Sequence, residues 1–159
     1  MPLEETNQRR LRAAQGFLEL GLPLDANAEL EEIDVEVRHL PEVLAVRLDV
    51  YRVLGRWEHM QAVAKRLSIH DPDEPRWILS AADATRHVES VEAAMVILCN
   101  AADRQPSVAM FHYKLACLVA GKGDMSAAKL HIGRAFELNK ELRLQALDDE
   151  DLRAMWDSL

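Results

Sequence analysis

A period of 34 residues governs this chain. Ala14, Leu48, Ala82 and Ala116 stand 34 apart, as do Gly21, Gly55, Glu89 and Gly123, and Ala26, Met60, Ala94 and Ala128. A fixed period of this length marks a stacked repeat, in which one unit cannot bury its own apolar face and neighbours complete the core. Four frames fit without gaps, at 7–40, 41–74, 75–108 and 109–142, and a tail over 143–159 is left. The 159 residues together amount to one domain's worth of chain.

Within each frame the apolar residues recur at three- and four-residue steps, as in Leu44, Leu48 and Tyr51 or Ala94, Leu98 and Ala101. That is helical spacing, and no segment alternates like a strand. Each frame is predicted to hold two helices, broken near Gly21, Gly55, Val88-Glu89 and Gly121–Gly123. Glycine suits the left-handed residue that follows a helix. Where the third frame lacks it, Ser90 is the expected N-cap of the next helix. Pro41 and Pro75 suit first helical turns, because proline lacks the N–H that a first turn leaves unused. The tail is expected to form a capping helix over 143–159, with Asp148 or Asp149 at its start and Leu152, Met155 and Trp156 packed near Ile132, Ala135 and Phe136.

These residues resemble the tetratricopeptide repeat, a family of helix–turn–helix units. Ala82, Ala94, Ala101 and Pro106 carry the likeness in the third frame. Leu115, Ala116, Gly123, Ala128, Ala135 and Phe136 carry it in the fourth, Tyr51, Gly55, Trp57 and Pro72 in the second, and Ala14, Phe17, Gly21, Ala26 and Leu30 in the first. Arg38 and Lys140 stand where the family has proline. The resemblance implies an all-α fold, an α-α superhelix of four repeats plus the C-terminal capping helix. Small residues at the crossings let helix axes approach closely. The second frame departs, with Leu48 and Met60 at both crossing positions and small Ala64 one turn on, so its pair is expected to splay at that level.

In this family the groove is lined by the first helix of each pair. Mapped by phase, that face brings Gln15, Asp49, Asp83 and Cys117 into one column and Leu18, Arg52, Arg86 and Ala120 into the next, with Arg76, Tyr113 and Lys114 close by. Asp49–Arg52 and Asp83–Arg86 are helical neighbours three apart. The partner-binding set implied is therefore Asp49, Arg52, Arg76, Asp83, Arg86, Tyr113 and Lys114, gripping carboxylates or backbone carbonyls of a peptide. The competing and more ordinary reading of the same charges is a pair of exposed ion pairs, each worth roughly 0–1 kcal/mol. The family's clamp for chaperone C-terminal carboxylates is missing, since Leu11, Gln15 and Val46 fill its Lys and Asn columns.

The remaining sequence bounds the function class. The net charge of −8 disfavours nucleic acid and anionic membranes as partners. No stretch is apolar enough to span a bilayer, and the N-terminus does not read as a signal peptide, so a cytoplasmic protein is expected. Cys99 and Cys117 suit a reducing compartment and are expected to be small buried or groove-lining thiols. None of the six histidines sits at a zinc-binding spacing, and no phosphate loop or nucleophile elbow is present, so neither metal, cofactor nor catalysis is expected. Six acids between Asp25 and Glu36, with no base among them, are read as a solvated face with Asp25 as an N-cap, the alternative being a docking surface for a basic partner. The expected function is a non-catalytic scaffold or adaptor holding a protein segment in its groove. A small acidic secretion chaperone holding an export client is the alternative, and self-association through the first frame is a third reading.

Overall fold

The computed structural model describes residues 2–158. Among them nine α-helices follow one another with no strand: α1 (Glu5–Glu19), α2 (Pro23–Glu31), α3 (Pro41–Val53), α4 (Trp57–His70), α5 (Pro75–Val88), α6 (Val91–Arg104), α7 (Ala109–Gly121), α8 (Met125–Leu138) and α9 (Leu142–Asp148). Short 3-10 segments add Val35–Val37 and Glu150–Ser158. The all-α expectation holds. None of these helices is long and apolar enough to cross a membrane.

Local chemistry sets the helix ends. Pro23, Pro41 and Pro75 each open a helix, where the fixed φ of proline already matches and its missing N–H costs nothing. The turns after α1, α3 and α7 pass through Gly21, Gly55 and Gly123 at φ of 73°, 67° and 87°. This left-handed region disfavours any residue with a Cβ. Ser90 and Asp124 accept the N–H of Ala93 and Ala127, each at 3.0 Å, and so cap α6 and α8. Asp25, expected as a cap, instead lies inside the first turn of α2, because Pro23 starts that helix two residues earlier after Leu22.

The chain forms two compact units, Met1–Ala84 and Thr85–Leu159, and the division falls within α5. In the first unit α1 packs on α2 and α3, and α3 on α4. The α3 helix buries two faces. Val43, Val46 and Val50 join Ala14, Ala26, Leu30 and Ile33, while Leu44, Leu48 and Tyr51 join Met60, Ala64, Leu67, Ala81 and Ala84. A helix shared in this way is how a stacked repeat makes its core continuous. Leu48 and Met60, the two large crossing residues, are fully buried in the second cluster beside Ala64.

The acidic stretch is a solvated face, with Asp25, Glu31, Glu32, Asp34 and Glu36 exposed and Glu29 half-buried, and part of it is tied to neighbouring helices. Arg10 of α1 donates to Glu29 at 2.9 Å, Arg47 of α3 to Glu31 at 2.7 Å, and buried Asn7 exchanges two hydrogen bonds with Asp34, at 2.9 and 3.1 Å. Arg38, at the position where the family has proline, donates through Nε to the Ile33 carbonyl at 2.8 Å, just past the end of α2. The bases that answer these acids lie outside the stretch, so a scan within it misses them.

In the second unit α7 is nearly enclosed, with Leu115 through Ala120 all buried between α6 and α8. Ala116, Ala128, Ile132, Ala135 and Phe136 form its core, and Leu142, Ala146, Leu152 and Met155 complete it from the C-terminal segment. That segment is a short α9 followed by the 3-10 stretch, which lies chiefly along α7. Trp156 donates its ring N–H to the Ala146 carbonyl at 2.9 Å and holds the two pieces together.

Candidate functional site

In the first unit the expected residues converge on one carboxylate. Asp49 on α3 accepts from Arg52 at 3.1 Å, one helical step along, and from Arg76 on α5 at 2.7 Å. The second arm of Arg52 donates to the buried Ser80 hydroxyl at 2.8 Å. The Arg76 guanidinium also stacks 4.7 Å above the Trp77 ring. All three charges remain partly exposed. The expected pair is thus a three-residue cluster tying α3 to the start of α5.

Beside this cluster lies a pocket of about 380 Å³ between α1 and α3. Its apolar lining comes from Leu11 and Leu18 on α1 and from Ala45 and Val46 on α3. Gln15, Glu19, Glu42, Asp49 and Arg76 supply the polar part. A second hollow of about 320 Å³ shares Leu11 and Glu42 with it and extends past Gln8 and Arg12 towards Leu3. An apolar floor with a few converging polar groups is the usual form of a binding site. Gln15, Leu18 and Asp49 were in the groove columns read from the repeat. Leu11 and Val46 stand in the columns where the family's carboxylate clamp has Lys and Asn. Glu19 and Glu42 escaped the sequence reading, although Glu42 lies seven residues before Asp49 on the same helix face.

The second unit places its expected residues differently. Tyr113 is 0% exposed and donates its hydroxyl to Asp149 at 2.8 Å. It supports the core and is not open to a partner, because the C-terminal segment covers it. Cys117 is buried beside it, its sulfur 3.8 Å from the same carboxylate oxygen. Arg86 reaches Asp151 at 3.8 Å. Lys114 on α7 is half-buried, as is Asp83 on α5 in the first unit. Cys99, expected to be buried or groove-lining, is exposed on α6.

Ligand atoms of Cys117, Asp149 and Asp151 all lie within 4.8 Å of one another, the spacing a metal could use. Their chemistry fits a clasp better. Burial first, and then the Asp149 charge, push the Cys117 thiol up to about 12, so it stays protonated. Tyr113 already occupies an Asp149 oxygen, Arg86 approaches Asp151, and the other Asp149 oxygen accepts the Asp151 N–H at 3.1 Å. The set fastens the C-terminal segment to α7.

No protein-family model matches the sequence, and no curated protein does. Among solved structures, the chain is similar to one described as "MamA RS-1 ArsTM double mutant", with a TM-score of 0.71 over 87% of this chain and 79% of that one. The fold is a tetratricopeptide-like helical repeat. Sequence identity to that structure is 16%, so the likeness is one of fold.

Proposed function

We propose that this protein is a non-catalytic scaffold or adaptor that reversibly holds a peptide or protein segment on the first-helix face of its repeats. The observation that carries this reading is the α1–α3 pocket, whose apolar floor opens beside Asp49, Arg52 and Arg76. Asp83 is a further contact proposed in the first unit; in the second unit, taken by itself, Arg86 and Lys114 are proposed contacts on α5 and α7, and Tyr113 acts from beneath, by fixing the C-terminal segment. Both thiols are held above their ordinary pKa, chiefly by burial, which is opposite to what a nucleophilic cysteine needs. Two unpaired cysteines suit a reducing, cytoplasmic setting.

The test is a paired co-purification from native-host lysate read by mass spectrometry. One bait is the wild type and the other carries Gln15→Trp, an exposed position whose enlarged side chain fills the pocket. A protein kept by the first and lost by the second, with both baits equally folded, supports the reading. A partner kept equally by both moves the site off this face.

A further inference from the structure

We infer that the α1–α3 pocket accepts an aliphatic side chain from a positively charged peptide segment of another protein, with lysine or arginine flanking that anchor. The inference rests on the scaffold reading and adds the chemistry of the partner.

The floor decides the anchor. Leu11, Leu18, Ala45 and Val46 offer only hydrocarbon, and about 380 Å³ suits a branched aliphatic side chain with some neighbouring backbone. Covering such a surface removes hydrocarbon from water, which favours binding in proportion to the area covered. Gln15, exposed at the edge, offers both an amide donor and an acceptor to a peptide backbone.

The rim decides the charge. Arg76 points to the pocket but is committed to Asp49, and so is Arg52. Glu19 and Glu42 line the same pocket from opposite helices, and neither has a hydrogen-bond or ion-pair partner among the described residues. Arg12 lines the adjoining hollow with Glu42 without pairing to it. Glu19 is also the last residue of α1, where the helix carbonyls add to its negative field. The wider surroundings have the same sign: the first 84 residues hold sixteen Asp and Glu against ten Lys and Arg, a net −6 of the chain's −8. Such a field speeds the approach of a cationic segment and repels an anionic one.

The experiment is an NMR titration of the ¹⁵N-labelled full chain with two capped peptides. One has leucine flanked by lysines and the other has leucine flanked by glutamates. The lysine peptide is expected to move the amides of Gln15, Ala45 and Val46 to saturation, more weakly as salt rises, with the glutamate peptide about tenfold weaker or worse. Glu19→Lys combined with Glu42→Lys should reverse that preference, and Gln15→Trp should remove both responses. All three substitutions are at exposed positions, and a dispersed spectrum verifies the fold of each variant. Equal or inverted preference in the wild type overturns the charge assignment while leaving the pocket as a binding surface. An absence of shifts at these amides with either peptide up to millimolar concentration overturns the pocket itself, and with it the scaffold reading.

Discussion

Tyr113, Cys117 and Asp149 show how single residues hold the second unit closed. The tyrosine hydroxyl and the cysteine sulfur both meet one Asp149 oxygen beneath the C-terminal segment. Burial, reinforced by that carboxylate, keeps both groups protonated above their ordinary range. The consequence for stability has a definite sign. An unfolded Cys117 loses its proton near its ordinary 9.0, whereas the folded one keeps it up to about 12. Above 9 the folded state therefore binds more protons than the unfolded state, and stability falls as pH rises through that window. The urea midpoint is expected to drop from pH 9 towards 12, and Cys117→Ser should shallow the drop relative to wild type. Identical slopes would show that the thiol is not held as described. Little of this was legible in the sequence. Repeat phase places Tyr113 on α7 correctly but is blind to what a tail far along the chain will cover. The α2 acids are solvated as read, but their partners Arg10 and Arg47 sit on other helices and are hidden from the sequence for a related reason.

At the scale of the element the sequence was far more transparent, because helix ends are decided by local chemistry. Gly55 must be left-handed whatever packs around it, and Ser90 caps α6 with its own hydroxyl. The glycines also yield a paired prediction. Gly55 has φ of 67°, and a Cβ there meets only Trp57 Nε1, at 3.9 Å. The strain is thus conformational, and Gly55→Ala should cost about 1–2 kcal/mol. Gly133 lies inside α8, where a Cβ meets nothing within 4 Å. There Gly133→Ala should gain about 0.5–1 kcal/mol by restricting the unfolded chain. Urea unfolding of the two variants checks both, and equal signs would mean that the turn after α3 does not require its left-handed residue. Where helices meet, legibility declines. Ala14, Ala26, Ala94 and Ala128 were read from the period and are fully buried, but the pocket acids Glu19 and Glu42 follow no period. A binding rim has no reason to repeat, so periodicity finds the core and leaves the rim unmarked.

At the scale of the molecule, a stacked repeat has ends, and each end exposes an apolar face unless something covers it. The C-terminal segment does this for the second unit. Leu152 and Met155 enter the core formed by Ile132, Ala135 and Phe136, while Leu144 on α9 faces solvent. The 3-10 stretch has poor hydrogen-bond geometry of its own, so tertiary burial has to hold it in place. Two leucines eight residues apart therefore separate covering the core from merely belonging to the tail. Leu152 is 0% exposed and Leu144 is 73% exposed. Leu152→Ala should cost about 3 kcal/mol, through lost burial and the cavity left behind, whereas Leu144→Ala should stay within about 0.5 kcal/mol. A larger effect follows from removing the segment altogether. A chain ended after Glu141 leaves Phe136, Ile132 and Ala135 without the cover supplied by Leu142, Ala146, Leu152 and Met155. It is expected to bind a hydrophobic dye and to lose cooperative unfolding, with the loss read at Trp-free reporters such as backbone amides of α7 and α8. If the shortened chain unfolds as sharply as the whole one, or if Leu152→Ala is as mild as Leu144→Ala, the segment is an appendage and the second unit closes its core without it.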